Sequence, residues 1–137
     1  MFGTTRYITL NAAKTMMAAA EAEALRNGWN VAIAIVDAAA NPILFQRIDE
    51  TQPGSIAIAL GKARTAANFK RPTKAIEDMV LAGRTMFLAI EGVVPMQGGV
   101  PVVVDGKVIG AVGVSGVTAA QDELVALAAV RALETEA

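Results

Sequence analysis

Neither cysteine nor histidine occurs among the 137 residues. The first absence excludes disulfides, thiolate metal sites and a cysteine nucleophile. The second removes the usual general base and the usual ligand of zinc or haem, so no metal site is expected. Aromatic residues are nearly as scarce, with one Trp, one Tyr and four Phe to stack on bases. The 12 basic and 13 acidic residues are spread along the chain with no basic stripe, so nucleic acid is not an expected partner. No apolar run approaches the ~18 residues of a membrane span. Lys14, Glu21, Glu23 and Arg26 interrupt the alanines of the first thirty residues, so no signal peptide is expected. These absences describe a cytoplasmic protein without a membrane partner.

What is present is apolar. Hydrophobic residues make up 54% of the chain, and the mean hydropathy is +0.46. A domain of this size has too much surface to hide so much apolar side chain, so part of it is expected in a subunit interface. No linker, repeat or low-complexity tract divides the chain, and one domain over residues 1–137 is expected.

Pattern and punctuation set the order of elements. A first helix follows Thr9, with Ala13, Met17, Ala20 and Ala24 on one face and a left-handed stop at Asn27-Gly28. Residues 30–49 read as two strands around the turn from Ala39 to Pro42. Both faces of the first strand are apolar, which places it centrally, covered twice. A second helix opens at Pro53 and runs to Phe69, with Ile56, Leu60, Ala63 and Ala67 as its core stripe. Its second stripe is Ile58, Lys62, Thr65 and Phe69. A short helix from Thr73 and another from Gly83 precede a Gly/Pro loop. Two β-rich runs then flank Asp105-Gly106, a pair suited to a type I′ hairpin. A tail helix reaches Ala137, with Thr118 and Gln121 spaced as a capping box. Hairpins joined to helices imply an α+β domain with an antiparallel sheet.

The stretch "VIGAVGVSG", Val108 to Gly116, has the look of a phosphate loop. No two of its glycines are separated by a single residue, as a dinucleotide fingerprint requires, and no G-K-[ST] follows them. A tight hairpin just before it also excludes a parallel crossover. Gly110 and Gly113 therefore read as strand positions that admit a bulge or a close backbone. Ser115 and Gly116, ahead of the Thr118 cap, could present backbone N–H groups to an anion. Lys62 in the alanine-rich "GKARTAANF" needs a rim or pocket for its ammonium, and beside Thr65 it would suit a small carboxylate. Met96 lies in a loop and could line a pocket.

Taken together, "GKARTAANFKRPT", "QGGVPVVVDGKVIGAVGVSG" and "QDELVALAA" resemble the GlcG/HbpS family, once a domain of unknown function and later labelled haem-degrading. The C-terminal domain of PduO-type corrinoid adenosyltransferases is similar too. The resemblance implies a profilin-like fold, with about five antiparallel strands and helices on both faces. It also implies self-association as dimers that build even-numbered assemblies, often octamers. It carries ligand binding onto Lys62, Thr65, Phe69, Gly98, Gly99, Ser115 and Gly116, which join Met96 of the loop as candidate ligand-binding residues, with Pro101 and Gly113 as motif positions and Asp122 as the acidic residue of the last helix. Some haem-binding relatives use a histidine. Here haem would need methionine, Tyr7, Lys62 or a hydroxyl, or would bind without a strong axial bond.

Three functional readings stand at this point. One is a binder of a small ligand, haem or another tetrapyrrole, in an interface pocket. Another is an enzyme acting on a small catabolic carboxylate, with Lys62, Asp122 and Ser115 as candidate catalytic residues and backbone N–H groups at Gly98-Gly99 or Ser115-Gly116 stabilising charge. The last is a structural partner in an oligomer.

Overall fold

The computed structural model describes residues 1–134. Helix α1 spans Leu10–Asn27; the Thr9 side chain accepts from Ala12 N at its start, and Gly28 closes it at φ 72°. Strands β1 (Ala32–Asp37) and β2 (Pro42–Arg47) form the first hairpin. Helices α2 (Ser55–Phe69) and α3 (Thr73–Leu81) and a 3₁₀ turn over Thr85–Ala89 lead to the second hairpin. That hairpin is β3 (Gly99–Val104) and β4 (Lys107–Ser115), turned by Asp105 and Gly106 at φ 52° and 75°. Positive φ at both central residues is the type I′ requirement expected of this pair. Helix α4, Ala119–Glu134, completes the described chain. Residues 135–137, where the tail helix was expected to finish, lie outside the described residues.

The two hairpins join through β1 and β4 in one antiparallel sheet, ordered β2-β1-β4-β3. Among the described residues the sheet has four strands, not about five. The stretch between α3 and β3 makes no ladder because helix side chains satisfy its backbone: Val94 N donates to Thr65 Oγ1 and Gln97 N to Glu77 Oε1.

Strand β1 is buried through its first five residues, as its two apolar faces require. Ile33 and Ile35 meet α1 and α4 in a core with Met16, Val112, Val114 and Val125. Ala34 and Val36 meet Ala63, Ala66 and Ala67 of α2 on the other face, with Ala111 of β4. The helix stripe matches the expected one at Ala63 and Ala67 and differs elsewhere: Ala59 and Ala66 are buried, while Ile56 and Leu60 are only partly so. Tight approach explains this. A Cβ on Gly113 would collide with the backbone at Ala59 O and Ala63 N. Only small side chains fit between helix and sheet at that distance. Gly110 sits on the opposite face, where a Cβ would meet Val36 O and Ile8 Cδ1. The β3–β4 register also slips beside it, between Val102 and Val103.

Candidate functional site

Lys62 lies on the face of α2 that turns toward the end of β4. Its side chain is 1% exposed. It donates to Val114 O at 2.9 Å and to Asp122 Oδ2 at 3.0 Å. Asp122, in the first turn of α4, is 2% exposed and accepts from Val117 N on its other oxygen at 3.1 Å. The carboxylate expected on Lys62 is thus the chain's own. The two catalytic candidates Lys62 and Asp122 form one buried ion pair that ties α2, β4 and α4 together.

The Gly98-Gly99 segment closes over this pair. Gly98 adopts φ 131°, and a Cβ there would lie 2.7 Å from Lys62 Nζ and 2.8 Å from Val114 O. Gly98 O accepts from Val114 N, and Gly99 N donates to the buried Thr73 hydroxyl at 2.8 Å. At the other candidate donor site, Ser115 Oγ donates to Ser55 Oγ at 3.2 Å, and Ser55 also receives Gln52 Nε2. Gly116, at φ 148°, packs against Asn30 and Val31. Thr118 N and Gln121 N are taken by the reciprocal capping box of Gln121 and Thr118. Lys62, Asp122, Gly98 and Gly99 therefore meet around Val114, whereas Ser115 turns to Ser55 and Gly116 to Asn30 and Val31.

Burial pushes the Asp122 carboxyl above its ordinary value of 3.8; Lys62 and the Val117 N–H pull in the opposite direction without cancelling it. A raised native pKa means that the folded protein holds a proton the unfolded chain has already released. The stability contributed by this group is therefore present below pH 3.8 and lost as pH rises through the raised native value. In urea titrations, Asp122→Asn is expected to remove that part of the decline in stability with pH. An unchanged pH slope in the variant would refute the assignment.

Thr65 and Phe69 belong elsewhere. With Arg64 and Asn68, they line an open recess of about 260 Å³ closed by Ile90, Glu91, Gly92 and Val93. The Thr65 hydroxyl is committed, donating to Gly61 O and accepting from Val94 N. Phe69 meets Phe87 edge-on with ring centroids 6.0 Å apart, and the Arg84 guanidinium lies 5.8 Å from the centre of the Phe87 ring. Exposed Leu81, Met86, Leu88 and Ile90 lie in the same stretch of chain. Met96 is 42% exposed and does not line this recess. Arg64 and Asn68 lie within "GKARTAANFKRPT" but were not singled out there; their signal was positional, at the same four-residue spacing as Thr65 and Phe69. Thr73 and Glu77, one turn apart on α3, were missed in the same way. Their oxygens hold the backbone N–H groups of Gly99 and Gln97.

The fold and site define a small α+β protein with a sealed ion pair at its centre and an apolar recess on its flank. Residues 8–131 match the family model described as haem degrading protein HbpS-like, and the chain belongs to that family. Protein GlcG of Escherichia coli strain K12 is 47% identical over 103 residues, covering 75% of this chain and 77% of GlcG. The crystal structure of Klebsiella pneumoniae protein ORFY is 36% identical, with a TM-score of 0.89 over 98% of this chain and 97% of that one. A PduOC:haem complex is 27% identical, with a TM-score of 0.86 over 93% and 95% of the two chains.

The donor set does not fit a haem held by a strong axial bond. The chain has no histidine or cysteine. Its Lys62 nitrogen is committed, Met16 and Met17 are buried in the core, the exposed Met86 and Met96 do not line the recess, and Tyr7 stands 74% exposed on the irregular N-terminal segment. No group of three or more metal-ligating side chains occurs among the described residues. No helix among them is long and apolar enough to cross a membrane.

Proposed function

We propose that this chain is an oligomeric small-ligand-binding protein whose ligand is a tetrapyrrole held by its macrocycle and carboxylates, without an axial bond to protein. The observation that carries the reading is the recess between α2 and residues 90–93, just after the 3₁₀ turn. It combines an aromatic wall at Phe69, an apolar wall at Ile90 and Val93, and the Arg64 cation beside the single carboxylate of Glu91. The family model and the haem complex of PduOC support the ligand class. At about 260 Å³ the recess is smaller than the roughly 300–1,000 Å³ of most ligand pockets. A second copy seated over Met86, Leu88 and Ile90 would complete it and bury the apolar excess. The assembly we propose is even-numbered, an octamer of profilin-like subunits in the cytoplasm.

Titration of micromolar protein with hemin and with metal-free protoporphyrin tests this reading. Both are expected to saturate with similar affinity, because the iron makes no protein bond. Phe69→Ala and Arg64→Ala should each weaken both ligands by about tenfold. Saturation by hemin alone would refute the proposed mode, and saturation by neither would remove tetrapyrroles altogether. Native mass spectrometry of the same samples reads the subunit number.

A further inference from the structure

A second corner of the molecule carries two lysines that no carboxylate answers among the described residues. The β3–β4 hairpin turn, the C-terminus of α2 and the N-terminal segment meet around an open recess of about 480 Å³. Its lining is Thr5, Lys70, Val103, Gly106, Lys107 and Val108. A neighbouring recess shares Thr5 and Lys107 and adds Arg6 and Asp105. Across both, the charged side chains are three cations and one carboxylate, in a protein of net charge −1. Asp105 is taken by Arg6 at 3.5 Å. Among the described residues, Lys70 and Lys107 form no ion pair.

The backbone at Lys70 adds an independent observation. Lys70 caps α2 at φ 55° and ψ 41°, the left-handed conformation that glycine takes at least cost. Gly28 does the same job at the end of α1. A lysine here costs backbone strain that glycine would avoid, and its side chain lines the larger recess.

We propose that this recess is a binding site for a small organic polyanion, one with two or more anionic oxygens on a phosphate or polycarboxylate group. Lys70 and Lys107 supply charge from two sides, the Thr5 hydroxyl supplies a neutral partner, and Val103 and Val108 give an apolar wall. The site is separate from the recess at Phe69 and shares no lining residue with it.

Calorimetric titration with pyrophosphate and with citrate distinguishes the two sources of such an anion. At least one is expected to saturate, and acetate is not. Lys107→Gln should weaken binding about tenfold. Lys70→Gly should weaken it similarly while raising the melting temperature, because glycine relieves the strained cap. A structural role for Lys70 would instead lower the melting temperature on substitution. Failure of both anions to saturate at millimolar concentration, or affinity unchanged in both variants, would overturn the proposal.

Discussion

Lys62→Met is expected to lower the unfolding free energy by about 3–5 kcal/mol, the largest loss foreseen from any single substitution in this chain. The methionine fills similar space, so the loss measures charge and not volume. It leaves the Asp122 carboxylate buried without its cation and Val114 O without its donor. The double variant Lys62→Met/Asp122→Asn should recover part of that loss, because a neutral amide keeps an acceptor for Val117 N and needs no counter-charge. A coupling energy on the order of 2 kcal/mol from urea unfolding of the four-member cycle would support this account. Additive losses would show that the two residues act separately.

The second large effect is expected at Gly113. An alanine methyl there would press on Ala59 O and Ala63 N, both backbone atoms of α2, and would come within 2.9 Å of Ala63 Cβ. A rigid helix cannot yield as a flexible side chain would, so the sheet and α2 must separate. About 3 kcal/mol of stability should be lost. Gly54→Ala is the control: Gly54 has helical backbone angles and nothing within 4 Å of a Cβ. Equal melting temperatures for the two variants would refute the close-packing account.

Elements with strong local signals were legible in the sequence. The left-handed stop at Gly28, the Asp105-Gly106 turn and the Thr118–Gln121 box each depend on a few neighbouring residues, and each occurs as expected. The doubly covered β1 was readable because both of its faces are apolar. Less legible was anything decided by distance between elements. Ala63 and Ala67 fit the expected core stripe and are buried, but the alanines at 59 and 66 carry no hydrophobic contrast, so Ile56 and Leu60 looked like the core in their place when close approach had selected the smaller residues. Lys62 was visible as a cation in need of a partner. That the partner was Asp122, 60 residues away, was not, because no spacing rule links the two positions. The stretch from Ala82 to Gln97 read as helix and loop, and only its side-chain anchors at Thr65 and Glu77 explain the path it takes.

The alanine-and-glycine seam between α2 and the sheet has a further consequence, in entropy. Alanine and glycine have almost no side-chain freedom to lose on folding, so contacts along the seam form without that opposing cost. Lys62 is the largest fully buried side chain of this helix. Its long chain is held in one arrangement at a cost of up to about 2 kcal/mol in rotamer freedom. The largest single side-chain ordering cost on this face of the sheet therefore falls on the residue that also carries its buried charge.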